Sequence, residues 1–289
     1  MTGDNAMDQV RARIAAGRRH SVAVASGGVV LTAGRGSSGE RDVAGWGDIV
    51  AVAAGNVHTA SNTGRSHTVG LRGDGTVVAV GWNSDGQCDT DGWTEVVKVA
   101  AGWRRTVAVR ADGTAVAAGR QSEGANDVGD WSDLVAISAG DWHTAAIRGD
   151  GTAVAVGNGR RGQCAVDGWR GLRAISAGYL HTVGLTRDHR VLAVGDRMAG
   201  ISDVTAWRDV VAISAGSAHT VAVLETGRVR AAGDNSRGQC DVAAWTEVVA
   251  VAAGSTHTLG LRSDGSVLAT GNNDDGQCDV AGWHAASIM

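Results

Sequence analysis

The chain has 289 residues, 44 of them glycine and none proline or phenylalanine, with a formal net charge of −4. That balance argues against a nucleic-acid binder, which normally carries a basic excess, and no apolar run reaches the 18 residues of a membrane span. The N-terminus lacks the apolar stretch of a signal peptide, so a cytoplasmic protein is expected, and one lysine (Lys98) against 25 arginines points to a GC-rich, bacterial source.

In chain order, the first predicted element is a short strand over residues 9–16 that runs into an Ala-Gly pair. The glycine of this pair recurs at Gly17, Gly55, Gly102, Gly140, Gly178, Gly216 and Gly254, in steps of 38, 47, 38, 38, 38 and 38 residues. Two further combs keep the same phase. One is Trp46, Trp93, Trp131, Trp169, Trp207, Trp245 and Trp283; the other is Gly34, Gly81, Gly119, Gly157, Gly195, Gly233 and Gly271. Self-similarity at this period marks stacked or ring-arranged supersecondary units, and seven are present.

The fourth unit shows what each one builds. Leu134–Ala139 is an apolar run, Gly140-Asp141-Trp142 a turn, and His143–Arg148 a second run. An Asp150-Gly151 turn and a third run over 152–156 follow, then a polar loop and a short segment ending at Trp169. Short apolar runs punctuated by glycine and Asp-Gly read as strands joined by tight turns, and no window sustains a 3.6-residue period. Each unit is therefore expected to be an antiparallel meander of three clear strands and a weaker fourth. Seven such units predict an all-β, seven-bladed β-propeller spanning residues 1–289 as one domain. The small residues of the first run suit the crowded axis. The tryptophans suit the widening wedge between blades and are expected to be buried. Residues 9–16 match the first strand of the later units, and the chain ends six residues after Trp283, so ring closure is expected between the first and last units.

The second unit is longer by nine residues, forming a loop at about 56–66 in which the turn is duplicated: Gly55-Asn56-Val57-His58-Thr59, then Gly64-Arg65-Ser66-His67-Thr68. Long loops in compact domains often carry function. The cysteines Cys88, Cys164, Cys240 and Cys278 each follow Gly-Gln, one to a unit, so they are expected to be buried free thiols without disulfide or zinc partners. His20, His67, His143, His181, His219 and His257 share one turn position, which is Arg105 in the third unit. One histidine per blade does not make a metal site. With the threonine that usually follows, these residues read as local hydrogen-bonded turns. The Asp-Gly pairs read as hairpin turns, and no phosphate loop, nucleophile elbow or metalloprotease motif is present. Neither a cofactor nor a metal is expected.

Ile137-Ser138-Ala139-Gly140-x-x-His143-Thr144, Asp74-Gly75-Thr76-Val77 and Gly81-x-Asn83-x-x-Gly86-Gln87 resemble the regulator-of-chromosome-condensation repeat. The resemblance covers nearly the whole chain and implies a seven-bladed propeller. The short unit is similar to compact bacterial members such as β-lactamase inhibitory protein II. Exchange activity in eukaryotic members relies on a β-wedge and a Ran partner, and no such wedge is recognisable here.

Function is expected where the units differ. The Gly-x-x-His pairs read Arg18-Arg19, then Trp103-Arg104, Asp141-Trp142, Tyr179-Leu180, Ser217-Ala218 and Ser255-Thr256, with an expanded second unit. Aromatics and arginines thus crowd the first five units, and Trp82 opens a second loop on the same face. Such residues are enriched at binding hot spots. The reading is a non-enzymatic propeller that binds a protein partner through Trp82, Trp103, Arg104, Asp141, Trp142, Tyr179, Leu180, Arg18, Arg19, His58 and Arg65. The alternative is an enzyme or small-molecule binder that uses a polar pocket at the channel mouth, lined by Arg18, Arg104, Asp141 and His58. A third class is photoreception. Trp103-Arg104-Arg105-Thr106 resembles the Gly-Trp-Arg-His-Thr stretch of plant ultraviolet-B receptors, with Arg105 in the histidine's place and the remaining tryptophan arrangement absent.

Overall fold

A computed structural model describes residues 13–55, 58, 65–196 and 201–285. Within it lie seven separate three-stranded antiparallel sheets, in the order inner, middle, outer strand, one for each sequence unit. In the fourth blade these strands are Leu134–Ala139, His143–Arg148 and Ala153–Gly157. The inner strand pairs Leu134 with Arg148 and then Ala136 with Ile147, so Val135 bulges out of register. The same irregularity recurs in the second to seventh blades, and a bulge of this kind sharpens the local twist.

Among the described residues the expected fourth strand is not formed. After each polar loop the backbone turns on itself: the Val166 amide donates to the Cys164 carbonyl at 2.9 Å, and the Trp169 amide donates to the Val166 carbonyl at 2.9 Å. Sequences such as Asp89-Thr90-Asp91-Gly92 are rich in turn formers, so these amides find partners within three residues and none remains for a ladder. The segment instead anchors through its buried Val or Thr and the comb tryptophan. Trp131, Trp169, Trp207 and Trp245 are buried, while Trp46, Trp93 and Trp283 are half-buried. Each ring wedges against the middle strand of the following blade, where the facing residue is always small. A β-carbon on Gly184 would lie 2.7 Å from the Trp169 ring, and the equivalent Ala146 shares a core with Trp131.

The first comb is explained by the axis. At Gly254 an added β-carbon would stand 2.5 Å from the Gly17 carbonyl oxygen and 2.7 Å from the His257 ring, so only glycine lets neighbouring blades approach so closely. The third comb ends the outer strand, and Gly157 there has φ 115°, a conformation that glycine alone adopts without strain. Closure of the ring is direct: the Ser255 amide donates to the Gly17 carbonyl at 3.2 Å, and Ala25 bridges Ala285.

Inner strands of all seven blades line a central cavity of about 280 Å³, walled by alanine, valine and isoleucine, with Lys98, Arg173 and the hydroxyls of Ser138, Ser176 and Ser214. Each of these serines accepts a hydrogen bond from an inner-strand amide of the next blade, as in Ala177 N to Ser138 Oγ at 3.0 Å. No helix among the described residues is long and apolar enough to cross a membrane.

The shared histidines are structural, but their bonds are not local turns. The Nε2 of each lies 2.6 to 3.0 Å from a hydroxyl of the next blade: His20 to Thr68, His67 to Thr106, His143 to Thr182, His181 to Thr220, His219 to Thr258 and His257 to Ser21. Five of these hydroxyls already donate to backbone carbonyls of the preceding blade's loop, as Thr182 does to Gln163 at 2.7 Å. The histidine therefore donates from Nε2, which fixes its tautomer. Burial holds these imidazoles far below the ordinary 6.5, at about 3 for His20, His143 and His219 and about 4 for His67, His181 and His257.

The cysteines are half-buried rather than buried, and free. The Cys240 and Cys278 sulfurs each sit 3.3 Å from a carbonyl of their own loop.

Candidate functional site

The Gly-x-x-His turns and the polar loops emerge on one face, as their mutual bonds require: the Asn158 amide donates to the Trp142 carbonyl at 2.9 Å. On this face the third blade departs from the rest. Its inner and middle strands extend to pair Gly102 with Arg105, leaving Trp103-Arg104 as a two-residue turn. Arg104 adopts φ 62°, an uncommon left-handed conformation for a side-chain-bearing residue. The turn projects the Arg104 guanidinium between two indoles, 4.5 Å from the Trp82 ring centre and 4.6 Å from that of Trp103. Asp85 pairs with it at 3.5 Å. Arg120 covers Trp103 at 4.9 Å, and Arg65 lies 5.8 Å from Trp82.

Beyond Trp103 the aromatics continue into the next two blades. Trp103 and Trp142 meet edge to face at 4.5 Å. His58, from the second blade's inserted loop, reaches across to them. Its ring stacks on Tyr179 at 4.7 Å with an interplanar angle of 13°, meets Trp103 edge-on at 5.3 Å and lies 5.6 Å from Trp142. Beneath it, Asp141 is fully buried, and its Oδ2 accepts from the His58 amide and lies 3.0 Å from His58 Nδ1. Burial pushes the Asp141 carboxyl up, opposed by the His58 hydrogen bonds and by the positive charge of Arg105. Arg105 itself is buried where the other blades carry histidine. It donates to the carbonyls of Gly140, Asp141 and His143 at 3.0 to 3.4 Å, and its own pKa is lowered by burial to about 10.

Trp82, Trp103, Arg104, Asp141, Trp142, Tyr179, His58 and Arg65 are thus brought together from blades two to five. The rings pack on one another rather than standing in solvent: Trp103 is only 6% exposed, and Trp82, Trp142 and Tyr179 are half-buried. Leu180 is half-buried beside Tyr179, with its carbonyl held by the Asp196 amide at 2.8 Å. Arg18 and Arg19 belong to a different feature, a polar cavity of about 430 Å³ between the first, sixth and seventh blades that also contains Asp234, Asp274, Asp275 and Gln277. Arg19 pairs with Asp275 at 3.5 Å. Arg18 is buried, which lowers its pKa, with Arg19 adding to that effect and Asp141 and Asp275 opposing it. The pocket expected from Arg18, Arg104, Asp141 and His58 is therefore split between these two places. Of the inserted loop at about 56–66, residues 56, 57 and 59–64 lie outside the described residues.

Sequence reasoning missed Arg120, Asp85 and the polar cavity. Arg120 follows the outer-strand glycine Gly119, just as Trp82 follows Gly81. Variation at that position, read beside the Gly-x-x-His pair, was the available signal.

Residues 62–87, 96–125, 134–163, 210–239 and 248–277, together just over half of the chain, match the model of the regulator of chromosome condensation (RCC1) repeat. Among solved structures, the fold is similar to the entire ectodomain of the receptor kinase CR4 from Physcomitrella patens (17% identity, 89% of this chain and 71% of that one, TM-score 0.70). It is also similar to Prp20p of Saccharomyces cerevisiae (18%, 82% and 75%, 0.64), a structure described together with its binding to Gsp1p and histones. A third is the CRINKLY ectodomain of the Arabidopsis thaliana receptor kinase ACR4 (21%, 76% and 84%, 0.62). No curated protein matches the chain by sequence.

Proposed function

Because the chain belongs to the regulator of chromosome condensation (RCC1) repeat family, we propose that it is a single, non-enzymatic propeller that recognises a protein partner through its Gly-x-x-His face. The observation that carries this reading is the convergence of Trp82, Trp103, Trp142 and Tyr179 with Arg104 from successive blades. In the sixth and seventh blades these turns carry only the small residues Ser217-Ala218 and Ser255-Thr256, which satisfy the fold equally well, so the large side chains answer to something other than blade packing. Tryptophan, tyrosine and arginine are the residues over-represented where truncation costs binding most. Prp20p of yeast, a protein of similar fold, is described as binding Gsp1p and histones and was solved bound to Kap60, which supports the class of function and leaves the partner's identity open. We place the protein in a reducing bacterial cytoplasm, a reading supported by four cysteines held one to a blade as free thiols.

The test begins with affinity capture of a partner by the full chain, followed by separate Trp82→Ala, Trp142→Ala and Tyr179→Ala variants, with Ser217→Ala and Thr256→Ala as controls in equivalent turns. Loss of roughly 30-fold in affinity at the aromatics, about 2 kcal/mol, with little change at the controls is the expected result. Equal effects at all five positions would overturn the reading.

A further inference from the structure

The centre of the aromatic cluster is itself a small receptor with an occupant. His58 Nδ1 and the His58 amide both contact one oxygen of the Asp141 carboxylate, Oδ2, while the imidazole lies flat on Tyr179 and is flanked by Trp103 and Trp142. The other oxygen, Oδ1, is buried and has no hydrogen-bond partner among the described residues. An orphaned carboxylate oxygen in a buried site is costly. Here it points to a donor that would engage both oxygens at once.

One common biological group combines all these features. A guanidinium is planar, so it stacks on a tyrosine as the imidazole does. It is cationic, so aromatic faces attract it. Its parallel N–H pair also matches the two oxygens of a carboxylate, which an imidazole cannot do. We propose that Asp141, Trp103, Trp142 and Tyr179 form a recognition site for a guanidinium group, presented by an arginine side chain of the protein partner, and that the His58 imidazole is its intramolecular stand-in. The proposal rests on the partner-binding reading of this face and deepens it.

The surrounding charges set its limits. Arg105 touches the Asp141 backbone and is committed to three carbonyls, and Arg18 feels the Asp141 charge from the first blade. Arg104 is held by Asp85 between Trp82 and Trp103. The positive charge of Arg105 opposes the rise that burial imposes on the Asp141 carboxyl, and these cations also repel a second cation, so only a ligand that forms both carboxylate bonds gains from the site. Selectivity for the charged, two-pronged group over its neutral isostere is the discriminating property.

The experiment is a calorimetric titration of the full chain at pH 7.5, wild type and His58→Gly, with methylguanidinium and with methylurea, its uncharged planar isostere. His58→Gly is expected to bind methylguanidinium at least tenfold more tightly than methylurea and at least tenfold more tightly than wild type does. Adding Asp141→Asn to His58→Gly should abolish that preference. Acetyl-arginine amide should behave as methylguanidinium does and acetyl-citrulline amide as methylurea does. Binding of methylguanidinium without acetyl-arginine amide would mean a free small guanidine and would overturn the partner-side-chain assignment. Equal binding of the charged and neutral probes, or a preference that survives Asp141→Asn, would overturn the site altogether. Should His58→Gly fail to fold by circular dichroism, the indole N–H resonances of Trp103 and Trp142 in the wild-type protein provide the readout. Shifts with methylguanidinium and none with methylurea support the site, and identical responses overturn it. A partner that is released by Trp142→Ala while no cation preference is found would leave the binding face standing and remove only this inference.

Discussion

His143 in the fourth blade donates its Nε2 proton to the hydroxyl of Thr182 in the fifth at 2.6 Å, and Thr182 in turn donates to the Gln163 carbonyl of the fourth blade's loop at 2.7 Å. The threonine is thereby clasped between two parts of the preceding blade. Repeated around the ring, this relationship latches sheets that share no backbone ladder, and burial keeps each imidazole neutral, with no acceptor for a proton on Nδ1 of His20, His143, His181, His219 or His257.

Acid should therefore open the ring. In the unfolded chain these six histidines take up protons near the ordinary 6.5, but in the fold only at about 3 or 4. Above pH 6.5 both states are neutral and stability is independent of these groups. Below it, the unfolded state binds more protons, and each histidine removes about 1.4 kcal/mol per pH unit until its folded pKa is reached. Thermal melts from pH 8 to 4 should show a constant Tm above pH 7 and a steep fall below about 6.5. A Tm unchanged between pH 7 and 5 would contradict the latch chemistry.

Arg105 takes the histidine's place in the third blade and bonds three carbonyls of the fourth. Removing it by Arg105→Ala leaves buried acceptors unpaired and should cost about 3 kcal/mol. Arg105→His supplies the residue used by every other blade, opposite Thr144, whose hydroxyl already donates to the Ala125 carbonyl. It should retain most of the stability. Urea denaturation of the two variants checks both values; equal losses would show that the carbonyl contacts, not the latch position, matter.

Gly184 lies under the Trp169 ring, whereas the equivalent residues Ala108, Ala146 and Ala222 lie under Trp93, Trp131 and Trp207. The wedge thus tolerates one methyl group. Gly184→Ala should change stability by less than about 1 kcal/mol, and Gly184→Leu should cost about 1–3 kcal/mol by overpacking. Equilibrium unfolding of the two variants would separate them, and similar losses would mean that the ring does not set the size limit.

The cysteine thiols should react slowly despite their partial exposure. Burial pushes Cys88 up to about 12 and Cys164, Cys240 and Cys278 up to about 11, so roughly one in a thousand or fewer is thiolate at pH 8. Alkylation of the native protein followed by mass spectrometry should find all four slower than a free cysteine peptide by about a hundredfold or more, and faster labelling would place them in another environment.

The number of blades, their lengths and the closure of the ring were legible in the sequence, because glycine at an axis and tryptophan in a wedge are steric demands that every unit must meet alone. Gly254 and Trp169 can be read from their phase with no knowledge of their neighbours. So could the enrichment of Trp82, Trp103, Trp142 and Tyr179 on one face, since topology fixes which turns share an end. The fourth strand was misread because hydrophobic spacing does not reveal whether an amide finds its partner three residues back or on another strand. The histidine's partner was misread for the same reason: Thr144 is adjacent in sequence, yet His143 bonds Thr182, 39 residues away. Only the closed ring decided that His58 would lie against Asp141, that Trp103 would be covered, and that Arg19 would pair with Asp275 instead. Such contacts run between blades, and their geometry depends on the rotation from one sheet to the next, a quantity that no single repeat encodes.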